Sequence, residues 1–459
     1  MEASKLIFVL MSLVAFVAVP VVIGNARRYF LALASFLYVF TSGWIFYNYT
    51  GLMLADIPIL CLFFMALFSG RRLRFWVAPM GQSMLGIVFI GLVSAVSANQ
   101  PGWSVAEVSK FLRMYLLLIS IVHHVRSIED LRFSVTWMLV GLLIESLVGI
   151  YQWKVGPVGI WFLGERPAAR HDWRSMGTFY VPSFYANYLA MVLCVALRMF
   201  VFYEPRTLRT KLFFGFTLIA GIIAFYTTYA RGPWLSFLVA IAIMGLLSVF
   251  RSRFRIKSQW ALPVLLIFAV LFGIKYHTRI TDQFGAQRRV AYESRFPQFG
   301  VAKRMIKDYP LTGVGLGNYK LHSWDYLTPE ERNHYLAPVY AWMVHNSYLL
   351  FTAETGYLGG FIFICWYIIT VVAALRILKN RVNHPFIVNV TMGIFAGVIA
   401  MIIFLMTSPD IHEYSLIYQM TLFCALLTAE QNILKEAERK FKMHAQQRIR
   451  KIASSNNPE

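Results

Sequence analysis

Arg231 stands in Tyr229-Ala230-Arg231-Gly232-Pro233-Trp234, a seam where two apolar stretches meet with almost no loop between them. Pro233 suits the first turn of the second stretch. A helix entering an apolar layer there directs the positive end of its dipole back out of that layer. An arginine at such a start, together with the helix amides, makes a site for an anion. The alternative is an arginine that reaches from a helix end to the polar boundary and anchors it. A second constellation, His345-Asn346-Ser347-Tyr348, opens another long apolar stretch. Imidazole exchanges protons near neutral pH, and Asn346 and Ser347 are capping types. His345 is therefore a candidate general base, with an interfacial capping histidine as the alternative. Glu354 lies nine residues on and points roughly the opposite way on a helix. It reads as a packing residue with a buried partner rather than one half of a dyad with His345, although an acid within a membrane span is a functional candidate by default.

Between these two lie Glu293-Ser294-Arg295-Phe296, then Lys303-Arg304, then Pro310-Leu311-Thr312-Gly313-Val314-Gly315-Leu316-Gly317-Asn318-Tyr319. The spacing predicts an amphipathic helix over Phe296–Ile306, lying on a membrane surface, with Arg295 near its start and Lys303, Arg304 and Lys307 making its latter part basic. The glycines allow close backbone approach to a ligand. They follow no obvious strand and lack the Lys-Ser/Thr of a phosphate loop, which argues against a nucleotide site. Lys320 and Arg332 follow, and an earlier polar stretch, 154–180, adds Lys154, Arg166, Arg170 and Arg174.

The elements that must hold these residues are membrane helices. Charged residues make up 14% of the 459 and hydrophobic ones 58%, against roughly 25% charged in a soluble domain, so the chain cannot clothe a water-soluble body. Thirteen stretches are long enough to span: Leu6–Ile23, Tyr29–Tyr47, Leu52–Phe68, Gly81–Ser97, Val108–Val122, Phe133–Trp153, Val181–Tyr203, Leu212–Thr228, Pro233–Phe250, Ala261–Tyr276, Asn346–Leu375, Phe386–Met406 and Ser415–Leu434. The first lacks a charged leader and a cleavage site and is expected to be retained. The fold class is an all-α polytopic membrane protein of 12–13 helices with one large extracytoplasmic loop containing short helices. The expected division is a first bundle over 1–276, a loop domain over 277–344, the last helices over 345–434 and a basic tail over 435–459. Basic short loops at 25–28, 70–74, 205–211, 251–257 and 376–381 fit the cytoplasm, which puts 154–180 and 277–344 outside. The net charge of +21 is then mostly topological rather than a sign of nucleic acid. The remaining cations face outward, where a lipid-linked diphosphate at headgroup depth would meet them; a solvated outer domain is the alternative, since long loops cross regardless of charge. The four cysteines all fall in apolar segments and read as small hydrophobes. No His/Cys cluster suggests a metal, and no Asp/Glu pair suggests a glycosidase.

The Ala-Arg-Gly-Pro-Trp turn, the long loop with Ser294-Arg295 and Pro310-Leu311-Thr312-Gly313-Val314-Gly315, and the closing His345-Asn346-Ser347-Tyr348-Leu349 with Glu354-Thr355-Gly356 resemble the O-antigen ligase and polymerase superfamily of bacterial envelopes. The ordered motifs cover roughly 212–375. The resemblance implies a metal- and cofactor-independent glycosyltransferase of GT-C type in the bacterial inner membrane, its active site facing the periplasm. The donor would be a glycan on undecaprenyl diphosphate, and the acceptor lipid A-core or a growing glycan. By the same resemblance Arg231 and Arg295 bind the diphosphate, Arg304 or Lys320 supplies a further cation, and His345 acts on the acceptor hydroxyl as base or positioner. Asn346, Glu354, Arg166 and Arg170 are supporting candidates. The chain departs from the family's ligases in one respect. The basic residue they carry some way before the histidine is represented only by Lys320 or Arg332, neither in a clear motif. A ligase is favoured by the single dominant loop ending in His-Asn-Ser-Tyr. Arginine followed after ten residues by glycine, as in Arg166 to Gly177 and Arg304 to Gly315, leans toward a polymerase. Transfer to protein and small-anion transport are further alternatives, the last opposed by the absence of matching halves around Glu145, the best intramembrane acid.

Overall fold

The computed structural model describes residues 25–40, 55–70, 78–156, 174–179, 181–204, 207–249, 295–380 and 384–455. Among these residues there are fifteen α-helices and no strand. They are α1 (Ala26–Phe36), α2 (Asp56–Leu67), α3 (Ala78–Ser94), α4 (Pro101–His124), α5 (Ile128–Val155), α6 (Pro182–Val201), α7 (Leu208–Thr227) and α8 (Arg231–Val249). The stretch before α13 contributes α9 (Arg295–Asp308), α10 (Tyr319–His322), α11 (Pro329–Asn333) and α12 (Ala337–Tyr340), and α13 (Ser347–Lys379), α14 (Pro385–Leu405) and α15 (Tyr414–Ser455) follow.

Seven of the described helices are long and apolar enough to cross a bilayer: Pro79–Ser97, Ile128–Val155, Pro182–Val201, Leu208–Thr227, Arg231–Val249, Ser347–Lys379 and Pro385–Leu405. The chain is an all-α, multi-pass membrane protein, as its composition requires. The expected spans Leu6–Ile23 and Ala261–Tyr276 lie outside the described residues, as do Arg166 and Arg170. α2 is only 12 residues long, and α4 carries Glu107 and Lys110 in its first half and Arg113 at its middle.

Burial sorts the helices. α6 and α14 are buried on nearly all sides and lie against each other at the centre. α8 turns Leu235, Leu238 and Leu246 outward, a lipid-facing pattern. Several polar side chains inside the bundle are paired across helices. Arg113 Nε lies 3.3 Å from Asp56 Oδ1, and the Tyr414 hydroxyl donates to the same carboxylate. The Tyr38 hydroxyl donates to Gln419, and its ring stacks on Tyr418 at 4.6 Å. Glu145 accepts from the amide and hydroxyl of Thr178 (3.1 and 2.7 Å).

Three elements differ from the sequence expectations. α9 does not spend its apolar face on a membrane surface: Val301, Ala302, Met305 and Ile306 are buried, and the helix packs against α13. The expected single helix from Asn346 is broken at Gly356, where φ is 74° and ψ 178°. At the far end, α15 continues past Leu434, where the apolar pattern stops, to Ser455.

The break and the glycine run explain each other. Val314 N donates to Ala353 O (2.9 Å), Gly315 N to Glu354 O (3.0 Å) and Tyr357 N to Pro310 O (2.9 Å), so the glycine loop satisfies the amides and carbonyls that the interrupted helix leaves open. A Cβ on Gly313 would lie 2.2 Å from the Glu354 carbonyl carbon, and one on Gly356 2.4 Å from Leu311 O. The close approach expected toward a ligand is made instead to the backbone of α13. On its other side the loop is held by the α3–α4 corner, through Ser97 Oγ to Gly313 O (2.7 Å) and Ser104 Oγ to Leu316 O (2.9 Å).

Candidate active site

The N-terminal ends of α4, α8, α13 and α15 converge with the C-terminal end of α14. The hub is the turn between α14 and α15. Asn346 caps α13 by accepting from Leu349 N and extends its amide to Met406 O (3.2 Å). Ser347 Oγ donates to Ser408 O (2.6 Å). On the other side of the same turn, Gly232 packs so closely that a Cβ there would meet the Phe404 ring at 3.2 Å and Thr407 Oγ1 at 3.5 Å. The Arg231 and His345 motifs, 114 residues apart in sequence, therefore flank one short turn.

Arg231 begins α8 and is half-buried. The chain reaches it through Tyr229, whose φ of 49° lies in the left-handed region, an uncommon conformation for a bulky residue. The turn is braced by Ala230 N to Thr228 Oγ1 (3.3 Å), by Trp234 Nε1 to Phe225 O (3.1 Å) and by Arg174 Nε to Thr228 O (2.7 Å). Strain held in place by its surroundings is a common property of functional positions.

His345 is half-buried and addressed by α9. Its Nδ1 lies 2.9 Å from Gln298 Oε1, while Gln298 Nε2 donates to Val339 O (2.9 Å). Because the amide nitrogen is committed to a carbonyl, the amide oxygen faces the imidazole and must accept. The proton is thereby assigned to Nδ1 and the lone pair to Nε2, the form a general base requires. Burial pushes the imidazole below its ordinary range, and Arg295, one turn before Gln298 on α9, pushes it further down. The neutral form is thus kept at mildly acid pH. If His345 serves as a base, Arg295→Gln should raise its pKa toward the ordinary value. The acid limb of the pH–rate profile would then move to higher pH in the variant; a limb that stays in place would separate Arg295 from the histidine's titration.

The other candidates divide. Arg304 lies on the opposite face of α9 and pairs with Glu331 (2.5 Å) and Tyr326 O (2.7 Å); the structure does not bring it to His345. Lys320 is exposed, with its ammonium 3.8 Å from the centre of the Trp342 ring, three residues before the histidine. Glu354, 1% exposed, does not meet His345. Its carboxylate lies 3.0 Å from Nε2 of His412, whose Nδ1 is 3.1 Å from Glu107, and Glu107 is 2.6 Å from Lys110. Burial opposes a charge on His412, but Glu354 and Glu107 on its two ring nitrogens override it and raise the imidazole to about 10. Nearby, Asp410 is fully buried and accepts from the Ser408 hydroxyl, and burial pushes its carboxyl well above the usual range.

Gln298 and His412 were missed by the sequence reading. For Gln298 no signal existed, since nothing in the pattern links it to residue 345. For His412 there was one: Ser408-Pro409-Asp410-Ile411-His412-Glu413 is a dense titratable turn between two spans, and counting spans puts it at the same end as His345. Among the described residues no group of His, Cys, Asp and Glu is arranged to hold a metal ion.

No curated protein matches the chain. Residues 214–364 match the family model Wzy_C, described as O-Antigen ligase. That stretch, about a third of the chain, contains Arg231, Arg295, Gln298, His345, Glu354 and the loop that seats α13, and the match supports the likeness of the chain to the O-antigen ligase and polymerase superfamily.

Proposed function

We propose that this protein is a membrane glycosyltransferase that moves a glycan from undecaprenyl diphosphate to an acceptor hydroxyl at the periplasmic face of the bacterial inner membrane. Lipid A-core is the acceptor we favour, which makes the protein an O-antigen ligase. The observation that carries this reading is the gathering, at one end of the bundle, of two arginine-bearing helix starts and a histidine whose basic nitrogen is fixed by its partner.

In this mechanism Arg231 and Arg295 hold the diphosphate, each at the first turn of a helix, where the dipole adds to their charge. As the bond between the anomeric carbon and the diphosphate oxygen breaks, negative charge grows on the leaving group, and the fixed cations stabilise that change. The acceptor oxygen attacks from the opposite face and forms the new glycosidic bond. Its proton passes to Nε2 of His345, while Gln298 holds Nδ1–H. The anomeric configuration inverts. The spacing of Arg304 and Gly315, which leaned toward a polymerase, has another role here: Arg304 pairs with Glu331, and Gly315 packs against Ala98 and Ser104. That spacing then lends no weight to a polymerase.

The test is transfer in vitro by purified protein with an undecaprenyl-diphosphate oligosaccharide. Three conditions are compared: added lipid A-core, added carrier-linked repeat, and no added acceptor. Wild type should give product on lipid A-core. His345→Ala and Arg231→Ala should each reduce it by about 10²-fold or more, with donor binding weakened in Arg231→Ala and retained in His345→Ala. Longer carrier-linked chains would make the protein a polymerase. Absence of donor binding in the wild type would remove the diphosphate reading altogether.

A further inference from the structure

The first two turns of α13 are separated from the rest of that helix by the reversal at Gly356. A long membrane helix would otherwise dictate the direction of its own first turn; here it does not. What orients Ser347–Thr355 must come from outside the helix. The glycine loop holds its lower end through backbone bonds to Ala353 and Glu354. Its face toward the α14–α15 turn is tied at two heights. Ser347 bonds Ser408 O at the top (2.6 Å), and Glu354, seven residues later and so on the same face, meets His412 (3.0 Å). His412 is itself fixed from α4 by Glu107, and Lys110 contacts both that carboxylate and the His412 carbonyl (2.6 and 3.5 Å).

We infer that His412, gripped between Glu107 and Glu354, is a positioning residue that sets the placement of His345. It does so by locking the detached first turns of α13 to the α14–α15 turn. This rests on the function proposed above for His345, but the mechanical link stands apart from it. The imidazole touches no reacting atom in this arrangement. It supplies a two-headed cationic tie between carboxylates on α4 and α13. Loss of that tie leaves two carboxylates facing each other across the turn that also receives Asn346 and Ser347. The segment that begins with the catalytic histidine then keeps its ties at Asn346 and Ser347 but loses its lower anchor to that turn.

The experiment uses the full chain in lipid nanodiscs with His412→Gln, and His412→Lys as the substitution that keeps a cation between the carboxylates. Glu107→Gln, which loosens the tie from its other end, serves if His412→Gln does not fold. Hydrogen exchange is read at the amides of 345–350 and 406–413, together with steady-state transfer. In His412→Gln, exchange should rise in both segments. The kcat should fall by about 10²-fold, as for a misplaced catalytic group, with the donor KM unchanged, and His412→Lys should restore both. Exchange that rises at 406–413 but not at 345–350 overturns the inference, as does a His412→Gln enzyme with wild-type kcat. Should wild type transfer glycan to no acceptor, the proposed function fails, and the exchange data still decide whether His412 positions residue 345.

Discussion

Gly313→Ala should lower the stability of the folded protein by on the order of 3 kcal/mol, an effect larger than most single substitutions produce. Two costs add. Gly313 has φ of +68°, where an L side chain is strained, and its Cβ would lie 2.2–2.4 Å from three backbone atoms of Glu354 and Thr355. Backbone atoms cannot swing aside as a side chain's end would, so the loop must leave its seat on α13. The amide bonds from Val314 and Gly315 leave with it. Thermal unfolding in detergent, followed by tryptophan fluorescence, should show the lowered midpoint. Limited proteolysis should find new cleavage in 310–345. A variant with wild-type midpoint and protease resistance would mean that the glycine run is not what fastens the loop to α13.

Asp56→Ala should destabilise the bundle by about 3–5 kcal/mol, the usual cost of leaving a buried charge without its partner. The Arg113 guanidinium, 9% exposed, lies beside that carboxylate and over the Tyr414 ring, and Tyr414 donates to the same carboxylate. Removing Asp56 strips both α4 and α15 of their common partner. The double variant Asp56→Ala/Arg113→Met should recover much of the loss, because it removes the stranded charge rather than the pairing alone. Unfolding midpoints of the two singles and the double measure this coupling. Strict additivity would show that Asp56 and Arg113 do not act as a pair.

How far such features were legible depends on their range. Span-length apolar stretches specify helices locally, so among the described residues helices fall where hydropathy put them, seven of them long enough to span, and Pro233 and Asn346 marked the starts of α8 and α13. Arg231 and His345 were legible because each sits in a compact motif at a span end. Their shared turn was not, since it depends on Thr407 and Ser408, which carry no signal of their own. The partner of Glu354 was foreseeable as a buried group but not as His412, 58 residues away across α14. The glycine run misled in an instructive way. Its chemistry, backbone open to close approach, was read correctly, while the object approached proved to be the protein's own helix. Gly356 gave no warning of a break either, because a single glycine in an apolar run is ordinary in a membrane helix. The sequence and the fold meet again in α9, whose apolar stripe was visible but whose choice of protein over lipid was not.

The pairing of Tyr38, in the 3-10 turn Leu37–Phe40 that extends α1, with Gln419 and Tyr418 of α15 joins segments as much as 381 residues apart. Tyr418 also donates to Ala34 O (2.8 Å) and Ser415 to Tyr38 O (3.3 Å). At a synthesis rate of about 5–20 residues per second, α1 waits roughly 20–75 s in the membrane before α15 emerges to receive it. During that interval Asp56 can already meet Arg113, but Tyr38 has no α15 to pack against. The bundle is thus closed by its last helix, and a ribosome that stalls after α14 leaves the inner face of α1 open to whatever the membrane offers.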